Sequence, residues 1–422
     1  LYAAFGINRV ARRASHINRN SIGSADTKKS KDSRGLDLGD NIDMLARIGT
    51  HVSGLALIGG NKVEPLKSGN EAYPQMLEAI SSAKNSIALS TYIFRPDQVG
   101  MKFVAALAEA HGRGVHVRVL VDGIGSGYFR SPVVAALRNR GVSTAQFMHV
   151  KRPWRMPFIN LRNHKKLLVV DGKRSFTGGL NLGAENIGGR GEGLGVDDTH
   201  FLIEGPVVEQ LMASFAADWH FTSGEVLDGP NWWPNMESKG SVVARGISSG
   251  PDEDIGKIED IFAAAIGQAR HRVRIVTPYF LPDEKLSSAI NLAVLRGVDF
   301  DLLIPAVSDH ITMDWAMRAH LAHLKADRVK CYKNPPPFDH SKLLTIDGRW
   351  CAIGSPNWDV RSLKLNFEFI LEVYNIDFAS DLDTLIDKKI TQSVPLNLSE
   401  VEQRSALTKM RDAAARLFLP YL

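Results

Sequence analysis

Apolar positions along this chain follow two rhythms, one at helical spacing and one filling short runs suited to buried strands. From Ala72 onward the two alternate. Tyr73 to Ala83 is apolar at Met76, Leu77, Ile80 and Ala83, which predicts a helix. Ser86 to Phe94 reads as a buried strand, and Val99 to Arg113 as an amphipathic helix closed by Gly114. Val115 to Asp122 is the next strand, and Ser131 to Arg140 a helix ended by Gly141. Gly123 to Gly127 lacks a Walker spacing and reads as a turn. Upstream, Asp43 to Ile48 reads as a short helix, Leu55 to Ile58 and Lys62 to Leu66 as strands, and Ser68-Gly69-Asn70 as a turn. At the far end, Val401 to Leu417 is an amphipathic helix with Leu407, Met410, Ala414 and Leu417 on one face, which assigns it to core packing.

The same rhythm restarts near Ile258. Ala83, Ile87, Thr91 and Phe94 recur as Ala269, Val273, Thr277 and Phe280, an offset of 186. Gly114-Val115 recurs as Gly297-Val298 at 183. A steady offset with small loop changes means an internal duplication. The expected architecture is α/β, with two similar halves at 61–225 and 251–422. Asp228-Gly229-Pro230 and Gly250-Pro251 mark 226–250 as the linker. Residues 20–40, rich in Ser, Lys, Asp and Gly, read as a solvated stretch within a basic N-terminal segment, 1–60.

One cassette occurs twice. The first copy runs His164-Lys165-Lys166 to Asp171-Gly172, and the second His340-Ser341-Lys342 to Asp347-Gly348, at an offset of 176. Asn181 and Asn357 each follow their histidine by 17 residues, inside Gly-Gly-x-Asn and Gly-Ser-x-Asn. Residues i and i+2 of a strand share a face, so each histidine sits beside its lysine. Such a pair is a poor core element, because burying unpaired charge is costly. An anion from outside is the sensible partner. Imidazole, ammonium and amide together suit a phosphoryl group. Asp171 and Asp347 complete the cassettes, but they lie on the opposite face from the lysines and read as turn-forming Asp-Gly pairs.

At these residues the chain resembles the phospholipase D superfamily. The flanks Arg162-Asn163-His164, Gly178-Gly179-Leu180-Asn181, Gly354-Ser355-Pro356-Asn357-Trp358-Asp359 and Leu365-Asn366-Phe367-Glu368 are closer still to bacterial cardiolipin synthases. The resemblance implies two α/β/α sandwich halves related by a pseudo-twofold axis, with the active site at their interface. It implies a catalytic set of His164, Lys166, Asp171, His340, Lys342 and Asp347, with Asn181 and Asn357 on the phosphate. His164 would be the nucleophile, forming a phosphohistidine, and His340 the acid and base. Glu368 and, by strand alignment, Asp198 are the candidates for orienting the imidazoles. Which carboxylate serves which imidazole stays open. The lysines neutralise charge, so no metal or other cofactor is called for. The implied reaction condenses two phosphatidylglycerol molecules to cardiolipin and glycerol. Hydrolysis of phospholipid to phosphatidic acid is the alternative, and a superfamily nuclease a more distant one. The implied place is the surface of the bacterial cytoplasmic membrane, with membrane-spanning helices expected before Leu1.

Charge and composition refine this picture. The net charge of +5 is concentrated before residue 61, where nine Lys or Arg face five Asp. The remainder is nearly neutral, which argues against a broad nucleic-acid surface. Anionic membrane lipid is the expected partner, and a homo-oligomer is left open. The two cysteines, Cys331 and Cys351, form no disulfide framework and no metal pattern. Phe147 to Arg162 interleaves Arg152, Trp154, Arg155 and Phe158 with further apolar residues, a pattern that fits contact with anionic lipid. The same pattern could stack single-stranded nucleic acid or pack as a loop. Tyr279-Phe280-Leu281-Pro282 and Trp315 are candidates for the acyl side, against a plain core role. His320 and His323 lack a completing metal ligand.

Overall fold

The computed structural model describes residues 40–127, 130–149, 161–187, 195–251, 253–321, 329–397 and 403–417. Among the described residues, most strands join in one sixteen-stranded sheet, beside two small two-stranded ones, and its order is a mirror about its centre. In the first half, Ser143–Phe147, His116–Asp122 and Ser86–Thr91 run parallel, and Leu167–Val170, Arg174–Gly178 and Thr199–Glu204 follow antiparallel. The second half repeats this with Val329–Asn334, Asp299–Pro305, Arg272–Val276, Leu343–Ile346, Trp350–Gly354 and Asn366–Tyr374. Two strands close the seam. Ile58–Lys67 pairs with Thr199–Glu204 on one side and Val242–Ser249 on the other, and Val242–Ser249 continues to Asn366–Tyr374.

Part of the expected linker is therefore a central strand. Val242–Ser249 is the second half's equivalent of Ile58–Lys67, since each leads into the first long helix of its half. The Asp228-Gly229-Pro230 and Gly250-Pro251 signals on either side hid it. Arg245, completely buried, pairs in register with Glu372. Its guanidinium also donates to Thr50 Oγ1 at 2.8 Å and to the Tyr374 hydroxyl at 3.2 Å. Thr50 belongs to the helix Asp40–Ser53, longer than the expected Asp43 to Ile48. A Cβ on Gly49 would fall 1.7 Å from Arg245 Nη2, so only glycine lets that helix approach. Asn70 lies in a helix, Ser68–Ser82, rather than a turn.

One face of the sheet carries a separate apolar cluster for each half. The other carries a shared cluster, with Phe147 and Phe201 from the first half and Phe367 and Phe378 from the second. Phe147 and Phe367 stack edge to face with centroids 4.9 Å apart. The seam is thus core, which holds the halves in one relation.

Asp171 and Asp347 adopt φ of 53° and 54°, each followed by a glycine at 63°, the left-handed pair of a tight hairpin. The Asp171 carboxylate accepts the backbone N–H groups of Lys84, Asn85 and Ser86, and Asp347 those of Arg270, His271 and Arg272. Both clamp a helix exit to a strand, and neither touches the histidine of its own cassette. Their place in the catalytic set gives way to an architectural one. The helix Ala406–Leu417 departs from its expected core role. Leu407, Met410 and Leu417 are exposed, and Asp412 is its buried residue.

Arg245→Met is expected to lower stability by about 3–5 kcal/mol, because it strands Glu372 in the core. Adding Glu372→Leu should recover much of that loss. Thermal unfolding of the single and double variants checks this, and an unchanged midpoint in the single variant would contradict it.

Candidate active site

Each histidine is delivered by a short exchange between halves. Arg162–Asn163 pairs with Asn366 and Phe367, and Phe338–Asp339 pairs with Val196–Asp197. The exchange continues onto the next residue. His164 N–H donates to Phe367 O at 2.9 Å, and His340 N–H to Asp197 O at 2.7 Å. Each imidazole thus lies against the acidic strand of the opposite half.

The carboxylates complete the crossing. His164 Nδ1 is 3.0 Å from both oxygens of Glu368, and His340 Nδ1 is 2.8 Å from Asp198 Oδ2. The histidine side chains are 9% and 14% exposed, so each retains one accessible edge. With Nδ1 held by a carboxylate, that edge is Nε2. His164 to Lys166 and His340 to Lys342 lie in the gaps between short strands rather than on one, yet the expected alternation of sides holds. Lys166 Nζ returns to His164 O at 2.8 Å, and Lys342 Nζ bonds His340 O. The intervening residues point away. Lys165 pairs with Asp218 at 2.9 Å, while Ser341 meets Thr199 across the seam at 3.0 Å.

Burial dominates the electrostatics. It depresses the His164 imidazole to about 4, with Glu368 opposing and Lys166 and Lys342 reinforcing. The His340 imidazole is lowered well below its ordinary value by burial, then by Lys342, Lys166 and His164. Each imidazole feels the lysine of the other half, which puts the four groups within electrostatic reach of one another. Burial also lowers Lys166 to about 7 and Lys342 to about 8. A dry site holding two ammonium groups favours a bound anion.

The two carboxylates differ. Burial alone would raise Glu368, but His164, Lys166 and the Ser355 hydroxyl together hold it below its ordinary range. Ser355 Oγ donates to Glu368 Oε2 at 2.5 Å, and Asn366 Nδ2 to Oε1 at 3.2 Å. Asp198 has no such hydroxyl. Gly179 occupies the position equivalent to Ser355, and a Cβ there would fall 2.3 Å from Asp198 Oδ1. Asp198 receives its own strand's Thr199 N–H at 2.7 Å, and burial pushes it to about 7.

Asn357 is buried with its Oδ1 unpartnered. An amide rotation would turn an N–H toward the same space. Asn181 spends Oδ1 on the Ile93 N–H at 3.2 Å, which leaves the donor end of its amide for a ligand. Sequence reasoning missed Tyr92, whose ring packs on His164 with centroids 5.0 Å apart and lies 5.4 Å from Lys166 Nζ. A lone tyrosine at a strand end carries no motif. Ser355 stood in view within Gly-Ser-x-Asn, but its task was not readable. Phe280 and Leu281 are core, and Tyr279 bonds Asp309. Arg152, Trp154, Arg155, Phe158 and His323 lie outside the described residues, as does the N-terminal segment up to residue 39.

A mirrored α/β sheet with paired histidine-lysine cassettes and crossed carboxylates defines a phospholipase D-like protein. The family model described as "Cardiolipin synthase, PLD-like domain" matches residues 76–219 and 262–390, and the chain belongs to that family. Cardiolipin synthase of Geobacillus thermodenitrificans is 34% identical over 379 residues, 89% of this chain and 74% of that protein. Cardiolipin synthase A of Pseudomonas syringae is 34% identical over 366 residues, 86% of this chain and 76% of its own length. The crystal structure of phosphatidylserine synthase from Haemophilus influenzae superposes with a TM-score of 0.70 at 14% identity, covering 90% of this chain and all of that one. That likeness shows the shared fold.

Lys166 and Lys342 lose their charge as pH rises through about 7 and about 8. Sulfate, which stays fully ionised, should therefore bind progressively more weakly between about pH 6 and pH 9, approaching about tenfold per unit for each lysine lost. Titration calorimetry across that range checks it. An affinity that rises with pH would contradict it.

Proposed function

We propose that this chain is a phosphatidyltransferase that makes cardiolipin and glycerol from two molecules of phosphatidylglycerol. The observation that carries the division of labour is the unequal pair of carboxylates. Ionised Glu368 accepts Nδ1–H from His164, leaving a lone pair on Nε2 for attack. Asp198, whose proton affinity is higher, can donate to His340 Nδ1, which places a proton on Nε2.

The steps then balance. His164 Nε2 attacks phosphorus, and the bond from phosphorus to the glycerol oxygen breaks. His340 Nε2 gives its proton to the departing alkoxide, while Nδ1 takes the Asp198 proton. The terminal hydroxyl of a second phosphatidylglycerol then attacks the phosphohistidine, returning its proton to His340. Lys166 and Lys342 hold the non-bridging oxygens as charge builds, aided by the amides of Asn181 and Asn357. One phosphodiester replaces another, so no nucleotide is consumed. The relatives' names supply the product, cardiolipin, and the duplicated site fits a reaction that uses one phosphorus twice.

The chain incubated with phosphatidylglycerol vesicles should release cardiolipin and glycerol in equal amounts. Phosphatidic acid as the lipid product would instead support hydrolysis. His164→Ala should abolish turnover, with a loss on the order of a thousandfold or more. His340→Ala should accumulate labelled phosphatidyl-enzyme, and peptide mapping should place the label on His164. Label on His340 in the His164→Ala variant would reverse the roles.

A further inference from the structure

The helix Ala406–Leu417 is built inside out. Thr408, Asp412 and Ala415 face the protein, and the fully buried Asp412 is held by Arg404 and by Arg411 Nη2 at 2.7 Å. The opposite face carries Leu407, Met410, Ala414 and Leu417, with Leu407 80%, Met410 69% and Leu417 79% exposed. Single exposed apolar residues are ordinary, but a stripe along one helix face is not. Lys409 and Arg416, both exposed, border it on one side. Asp412 is the helix's one acidic residue, so its outward side presents only positive charge.

The position of the helix links it to the active site. It runs antiparallel to Ile311–Leu321. Arg404 Nη2 reaches Arg318 O at 3.4 Å, while the Arg411 guanidinium lies 4.3 Å over the Trp315 ring. That sense carries Leu417 toward the start of its neighbour, where Val307 and Ile311 are also exposed. Between them lies Asp309, which accepts the Tyr279 hydroxyl and acts electrostatically on His340. The apolar strip thus runs from the final helix toward the catalytic side of the second half.

We propose that this strip docks on an anionic bilayer. Leu407, Met410 and Leu417 enter the acyl boundary, and Lys409 and Arg416 meet lipid phosphates. The basic border selects anionic lipid over a second copy of the chain, whose equivalent face carries the same charge. Docking here would bring the catalytic side of the second half toward the surface that holds its substrate. This role rests on the lipid-substrate reading above.

The test uses the full chain and sedimentation with vesicles of phosphatidylglycerol and phosphatidylcholine. Leu407→Gln with Met410→Gln and Leu417→Gln should cut partitioning about tenfold or more, with thermal unfolding unchanged. Turnover of short-chain phosphatidylglycerol, dissolved as monomers, should stay intact in that variant. Lys409→Glu with Arg416→Glu should weaken binding to phosphatidylglycerol vesicles and spare pure phosphatidylcholine, and salt should erase the difference. Unchanged sedimentation of the apolar triple variant would overturn the proposal. So would loss of a dimer in light scattering with vesicle binding intact, which would assign the face to a second copy. If the unaltered chain turned over neither form of lipid, the transferase reading would fall while docking could still be read from sedimentation.

Discussion

Everything in this molecule depends on placing two imidazoles and two ammonium groups in a nearly dry space without leaving them unpaired. Four such groups could not be buried together without compensation. The solution is reciprocal. Glu368 of the second half holds His164 of the first, and Asp198 of the first holds His340 of the second. Neither half alone could supply an oriented imidazole. The two central strands and the shared aromatic cluster are the scaffold that keeps the exchange in register.

Duplication makes the site nearly symmetric, but the two carboxylates differ in their surroundings. Ser355 can reach Glu368 because the second half has room for a side chain there. Gly179 must be glycine because Asp198 fills that space. Burial raises both carboxylates; His164 and Lys166, with the Ser355 hydroxyl adding to them, bring Glu368 back down, whereas Asp339 adds to burial at Asp198. On the proposed roles, ionised Glu368 suits an attacking His164, and the raised Asp198 an acidic His340.

Much of this was legible in the sequence for a physical reason. Alternation of sides along the chain fixes which residues face together, so His164 with Lys166 and His340 with Lys342 could be paired from their spacing, although they lie between strands rather than on one. The repeated offsets announced the duplicated sheet. What failed was information that lies across the seam. The strand around Arg245 lay inside the stretch read as linker from its flanking Asp-Gly-Pro and Gly-Pro signals, and its buried charge has a partner 127 residues away. The exchange of carboxylates follows from the pseudo-twofold relation, which no local pattern records. The final helix showed its apolar face plainly, but periodicity cannot tell which side of a helix meets the protein.

The crossed pairing can be observed directly by nitrogen NMR with selectively labelled histidine. For His164, the pairing predicts a protonated Nδ1 and a bare Nε2 near neutral pH. Glu368→Gln should shift the His164 signals and leave those of His340 nearly in place, while Asp198→Asn should do the reverse. Perturbation of the same-half histidine by either substitution, or of neither histidine by both, would contradict the account.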